Sequence, residues 1–312
     1  MNVLLWHVHG SWTTAFVAGR HQYLIPVVPD RGPEGRGRAQ TWDWPASARE
    51  LSYEELATTD VDCVIVQSAY ELDVLAPRAL GSRRPGRDVP VIFLEHNAPQ
   101  GAVDEMRHPA ADRLDVHLVH VTFFNDLFWD AGTTPTTVIE HGIVDPGYRY
   151  TGELARSAVV INEAGRRGRV TGTDLLARFG AAGPVDLFGM GAGVLGGYEN
   201  LRQSELHDAM ALRRLYLHPV RWTSLGLSLI EAMHLGMPVV ALATTEVPIA
   251  VPPEAGVVST RIDVLVDTAR ELLADDRRAR RMGEAARSFA LAHYGLERFL
   301  TAWDALLTEV HS

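Results

Sequence analysis

The sequence predicts an α/β protein made of two open, parallel-sheet halves in tandem, closed by helices. Three observations carry this. Short aliphatic and β-branched runs alternate with helical stretches along most of the chain, the pattern of strands buried on both faces by crossover helices. The series breaks once, at His141-Gly-Ile-Val-Asp-Pro-Gly, where residues 145–153 read as a linker. From Ile262 onward the pattern turns wholly helical. At 312 residues the chain is long for one domain and comfortable for two. The boundaries expected are residues 1–148, residues 149–295 and a closing helix over 296–312.

In the first half the apolar runs place strands at residues 3–8, 23–28, 63–67, 89–94, 117–122 and 137–140. Between them, helical spacing predicts a helix opening at Ser11 or Trp12, and others near 53–58, 71–79 and 124–129. Residues 30–44, rich in Gly, Pro and Arg, read as a long surface loop. The second half gives a strand at 158–162, a helix near 173–179, a strand at 185–188 and a helix near 205–212. Residues 215–242 then read as strand, turn at Pro219, apolar helix and buried strand. Helices close the chain at 265–273, at the Arg-rich 276–289 and at 296–310.

Composition removes several classes. The hydrophobic fraction of 46% and charged fraction of 22% belong to a soluble globular protein, and no apolar run approaches the ~20 residues of a membrane span. The first residues, Met-Asn-Val-Leu-Leu-Trp, read as a first strand rather than an export signal. Cys63 is the single cysteine and sits inside an apolar run, which fits a reducing cytoplasm. A net charge of −10 argues against a nucleic-acid partner. All 29 basic residues are arginine, as in a GC-rich bacterial genome. Lysine Schiff-base chemistry is thereby excluded, and phosphate recognition falls to arginine and backbone amides.

The helix within 215–242 carries one carboxylate, Glu231, and is entered through Ser224-Leu-Gly226. Free N–H groups at such a start suit an anion such as a diphosphate. The competing reading is an ordinary β-α-β unit with one solvated Glu.

The run Pro219-Val-Arg-Trp-Thr223-Ser-Leu-Gly226-Leu-Ser-Leu-Ile-Glu231-Ala-Met-His-Leu-Gly-Met-Pro-Val-Val240 resembles the nucleotide-sugar motif of the family 4 glycosyltransferases, retaining enzymes of GT-B fold. Val138-Ile-Glu-His141-Gly-Ile, Gly165-Arg166 with Thr171-Gly-Thr-Asp-Leu-Leu176, and Val185-Asp-Leu-Phe-Gly189-Met-Gly191 resemble three further segments of that family, in the same order. Arg298 to Leu307 resembles its closing helix, which packs back on the first domain. The resemblance implies GT-B architecture: two Rossmann-like α/β domains facing a cleft, acceptor domain first and donor domain second. It implies transfer of a sugar from a UDP-, GDP- or TDP-sugar to a hydroxyl acceptor of unknown identity, with retention, in glycan biosynthesis, without metal or cofactor.

Carried over residue by residue, the resemblance puts Glu231 on the ribose and the Ser224, Leu225, Gly226 and Leu227 amides with Arg166 on the diphosphate. The base rests near Gly189 and Met190, Gly10 approaches a phosphate, and His96 is the catalytic candidate of the first domain. The chain departs from the family in places, among them Thr244-Thr-Glu-Val-Pro248 where a Gly-Gly turn is expected. Thr223 stands where a first Glu contacts the donor sugar, and Thr171 where a Lys binds phosphate, with Arg167 or Arg169 as the substitute cation and Arg169 the nearer of the two. These departures keep a second function open, a pseudoenzyme serving as a binding or partner subunit. A sugar epimerase is a weaker alternative. No basic amphipathic N-terminal helix supports peripheral membrane contact.

Two other motifs are set aside. Gly191-Ala-Gly193-Val-Leu-Gly196 fits a dinucleotide fingerprint, but the residues after it read as loop and no acidic residue closes a following strand. His7-Val-His9 places two imidazoles on one strand face, yet the further ligands and modified lysine of an amidohydrolase centre are missing.

Overall fold

The apolar runs of the first half become seven strands: β1 (Asn2–Leu5), β2 (Gln22–Pro26), β3 (Ala48–Leu51), β4 (Cys63–Val66), β5 (Val91–Glu95), β6 (His117–His120) and β7 (Thr136–Val138). All neighbours pair in parallel, in the order β3-β2-β1-β4-β5-β6-β7. The chain runs β1 to β3 in one direction, then crosses back to place β4 on the other side of β1. The switch point therefore lies between β1 and β4, where open sheets of this kind offer a crevice at the strand carboxyl ends. The crossovers carry α1 (Gly10–Val17), α2 (Tyr53–Thr58), α3 (Ala76–Leu80) and α4 (Phe123–Phe128). Ser52 and Glu55 form a reciprocal capping box on α2, and the Thr122 hydroxyl caps α4. Ahead of α3, Glu71–Leu75 forms one wide π turn. The strands run shorter than expected at β1 and β6, and β3 is an addition to the expected set.

The structure, a computed structural model, describes residues 1–311 and falls into two units, Met1–Val144 with the C-terminal helix, and Asp145–Gly295. The second unit holds β8 (Leu154–Val160), β9 (Val185–Phe188), β10 (Arg213–His218), β11 (Val239–Leu242) and β12 (Gly256–Ser259). They form a parallel sheet of order β12-β11-β10-β8-β9. Here the switch point falls between β8 and β10. Its helices are α5 (Ala164–Arg167), α6 (Leu176–Phe179), α7 (Gln203–Leu212), α8 (Leu227–Leu235), α9 (Val247–Ala250), α10 (Ile262–Ala274) and α11 (Asp276–His293). Gly236 ends α8 at φ +91°, and an added Cβ on Gly283 of α11 would stand 1.9 Å from its carbonyl oxygen. Glycine at both positions is what lets α8 and α11 pack closely.

The chain ends in α12 (Leu296–His311), which belongs to the first unit. Its Trp303 is buried at 5.6 Å from the Trp12 ring and 5.0 Å from Phe16, tying α12 to α1. No helix among the described residues is long and apolar enough to cross a membrane.

Candidate functional site

In the second unit the candidate residues gather at the carboxyl ends of β8, β9 and β10, around the switch point. After β8 and β9 the two loops bind each other: the Glu163 amide donates to the Met190 carbonyl at 2.7 Å, and the Met190 amide to Asn162 Oδ1 at 3.0 Å. Gly189 adopts φ +131°, and any side chain there would press to 2.4 Å from the Ile161 carbonyl. Met190 itself is exposed. Gly191 to Gly196 form a 3-10 turn over Ala192–Leu195 rather than an α-helix, so the glycine pattern lacks the helix that a dinucleotide site opens on.

The loop between α5 and α6 is clamped onto the loop between β10 and α8. Arg221 forms a bidentate pair with Asp174 at 2.6 and 2.9 Å and donates to the Arg169 carbonyl at 2.7 Å. The Arg221 amide reaches the Val170 carbonyl at 2.9 Å. Gly172, at φ +74°, lies so close to Pro219 that an added Cβ would be 1.9 Å from its oxygen. Thr171 is buried, with its hydroxyl 3.1 Å from that of Thr173 and 3.3 Å from the Gly168 carbonyl. Arg166 is exposed and paired with Glu163, and Arg169 is exposed with Asp174 at 3.7 Å.

α8 opens on Gly226 without a side-chain cap, which leaves its first amides for another acceptor. Leu225 and Ser224 are buried behind it, and Thr223 and Leu227 are half-buried. Beneath Gly226 lies His218, whose Cε1 an added Cβ would approach to 2.7 Å. His218 is buried, neither ring nitrogen has a protein hydrogen-bond partner, and burial pushes its pKa down to about 4. The imidazole is thus neutral.

Glu231, one turn into α8, is buried, so the solvated-Glu reading is wrong. Its Oε2 accepts from Gln203 Nε2 of α7 at 2.9 Å, and the same amide lies 2.9 Å from His207 Nε2. One amide hydrogen serves each acceptor, which puts the His207 proton on Nδ1. Gln203 and His207 lie outside the expected site; their only sequence signal is a polar pair at helical spacing.

The first unit brings a different group together. His96 follows β5 and is buried, 4.3 Å from the His9 ring, 5.4 Å from Trp12 and stacked 6.0 Å from His141. Burial, then His9 and His141, hold its pKa well below the ordinary histidine value. Its imidazole therefore favours the neutral form. His7 is turned away from His9 toward the Gly37 carbonyl, 3.2 Å from its Nδ1. Gly10 begins α1, and Trp42 Nε1 would lie 3.1 Å from a Cβ there.

Residues 197–289 match the family model described as "Glycosyl transferases group 1", a segment that contains the whole motif from Pro219 to Val240. Among solved structures, a sucrose-phosphate synthase from Thermosynechococcus elongatus aligns at TM-score 0.74 and 14% identity, over 99% of this chain and 98% of that one. Anabaena HepE, solved with UDP and with UDP-glucose, aligns at TM-score 0.69 and 13% identity over 99% of this chain and 100% of its own. A glycosyltransferase from Rickettsia africae aligns at 0.65 and 12% identity, over 99% and 98%. No curated protein matches the sequence. The fold is therefore the GT-B fold of these glycosyltransferases, as the motifs implied.

Proposed function

We propose that the protein is a retaining glycosyltransferase of the family 4 type, moving a sugar from a nucleoside-diphosphate donor to a hydroxyl acceptor. The observation that carries this reading is α8: an uncapped helix start and a buried, pre-oriented carboxylate on one helix at the sheet's switch point. The amides of Gly226 and Leu227 meet the diphosphate, and Glu231 meets the ribose hydroxyls. Gly189 and Met190 line the base. The UDP and UDP-glucose held by HepE support a UDP-linked donor.

In the reaction the acceptor oxygen bonds to the anomeric carbon as the bond from that carbon to the diphosphate oxygen breaks. The electron pair leaves with the diphosphate, which also takes the hydroxyl proton. Catalysis consists of stabilising that departing charge, a task this reading gives to helix amides and arginine instead of a metal ion. His96, neutral, donates a hydrogen bond to the sugar.

A second reading, a nucleotide-binding pseudoenzyme, draws on Thr171 and Thr223. The buried Thr171 offers no cation, and Arg166 and Arg169 each face a carboxylate of their own loop. Thermal shift and calorimetry with UDP, GDP and TDP, followed by donor hydrolysis without acceptor, separate the two. Nucleotide binding with slow hydrolysis supports the enzyme; binding without turnover under any acceptor supports the pseudoenzyme. No stabilisation at millimolar nucleotide counts against both. Glu231→Ala is expected to weaken donor binding by about 1–3 kcal/mol, the cost of unpaired ribose hydroxyls. Unchanged affinity in that variant removes Glu231 from the site.

A further inference from the structure

The first unit has a cavity of about 460 Å³ whose walls include Gln67, Ser68, Phe93, Glu95, Asn97 and Trp129. The volume is that of a small-molecule site. It opens at the carboxyl ends of β4 and β5, beside the switch point between β1 and β4, and Glu95 in its wall directly precedes His96.

Its polar groups are fixed in advance. Gln67 Nε2 donates to the Trp6 carbonyl at 2.9 Å, bridging the ends of β4 and β1. A carbonyl can only accept, so the amide orientation is settled and Oε1 is the atom left over. That oxygen has no protein partner, although Gln67 is only 7% exposed. A buried, unpaired acceptor of this kind costs stability unless a ligand donor meets it. The backbone N–H of Gln67 donates to Glu71 Oε2 at 2.6 Å, and the backbone N–H of Glu71 to Ser68 Oγ at 3.1 Å, at the start of the π turn. Such turns recur at functional positions. Across the cavity, Glu95 accepts from the Asn97 amide at 2.6 Å and from His108 Nε2 at 3.1 Å. Trp129 Nε1 donates to the Asn97 carbonyl at 3.0 Å, which anchors the indole at the rim.

The charge of the walls restricts the ligand. Arg107 is the one cation there, and it is already paired with Asp112 and Asp130. Glu95 and Glu105 add negative charge. A phosphorylated ligand would meet no spare cation and two carboxylates. Carboxamides, carboxylates and a hydroxyl beside aromatic rings instead suit a ring bearing many neutral hydroxyls, which both donate and accept.

We propose that this cavity is the acceptor subsite and that it takes a neutral polyhydroxylated acceptor, a sugar ring or cyclic polyol, with Gln67 Oε1 receiving one of its hydroxyls. The assignment as acceptor rests on the transferase reading; the binding of a neutral polyol does not. Ligand-detected NMR on the full chain tests it with glucose and myo-inositol against glucose 6-phosphate and inositol 1-phosphate. The neutral compounds are expected to bind, and their phosphates to bind at least tenfold more weakly. Gln67→Met, which keeps the volume and removes the oxygen, is expected to lower affinity tenfold or more. Asn97→Ala, at an exposed position, tests the opposite wall where folding of the first variant fails. UDP stabilisation is read in the same samples. Phosphates binding more tightly than their neutral partners, or both variants binding as the wild type does, overturns the proposal. Polyol binding without UDP stabilisation overturns the donor reading and leaves this site standing.

Discussion

Gly172→Ala is expected to destabilise the second unit by about 3–5 kcal/mol and to abolish the proposed nucleotide binding with it. Two costs add. At φ +74° a Cβ is strained by roughly 1–2 kcal/mol. The same Cβ would stand 1.9 Å from the Pro219 oxygen and 2.6 Å from its carbon, so backbone must move. What moves is the contact on which the site depends: the Val170 carbonyl that accepts from Arg221, and the Arg221–Asp174 pair beside it. Gly196 supplies the control. It has the same φ of +74°, with no atom within 4 Å of its added Cβ. Gly196→Ala should therefore cost only the conformational part, about 1–2 kcal/mol, and leave UDP affinity intact. Urea unfolding and UDP titration of both variants give the comparison. Equal losses in the two would mean that the Pro219 contact contributes nothing.

Much of this architecture was legible because parallel strands buried on both faces write themselves as continuous apolar runs. β4 and β11 read that way throughout, and β5 does up to its closing Glu95. The two strands that escaped, β3 and β12, each lie at one edge of their sheet. β3 is Ala-Arg-Glu-Leu, with Arg49 exposed, and β12 is Gly-Val-Val-Ser, with one buried residue. An edge strand has a neighbour on one side only and can be written without an apolar run, as these two are. α5 and α9 are single turns and too short for periodicity to declare them.

The candidate site's local geometry was legible where it follows from neighbours in sequence and opaque where it does not. Gly226 opening α8 and Glu231 within it follow from neighbours in sequence. The fixing of Glu231 by Gln203, 28 residues away, does not, nor does the tie from Arg221 to Asp174 across 47 residues. Both depend on strand order, which decides which loops meet at the switch point. Gln67 is the same case: it follows an apolar run like any residue closing a strand, and only the β1–β4 adjacency brings it to Trp6, 61 residues earlier.

Acidification from pH 7.5 to 5 is expected to cost each unit stability, through histidines held neutral. His120 and His141 in the first unit have pKa values pushed down to about 4 and about 3, and His218 in the second to about 4, in each case chiefly by burial. His120 faces His108 and, at 3.9 Å, Asp126; His141 faces His96; His218 faces Tyr216. A histidine with a lowered folded pKa contributes stability that is whole above the unfolded value of 6.5 and is lost as pH falls toward the folded one. At pH 5 that loss is about 2 kcal/mol per residue. Glu71 works the other way. Burial raises its carboxyl to about 7, so its contribution is whole below the ordinary value of 4.5 and is lost as pH rises through 7. Acidification therefore returns about 2–3 kcal/mol to the first unit and masks much of its histidine loss. Glu71→Gln keeps an acceptor for the Gln67 amide and removes the ionisation. The variant should exceed the wild type in stability at pH 7.5 by about 2–3 kcal/mol, lose that advantage by pH 5, and show the full histidine slope. Tryptophan fluorescence reports mainly this unit, since Trp222 alone of the seven lies in the other. A flat profile for Glu71→Gln between pH 7.5 and 5 would mean that the buried imidazoles are charged in the folded state, and would remove the neutral hydrogen-bonding role given to His96 along with them.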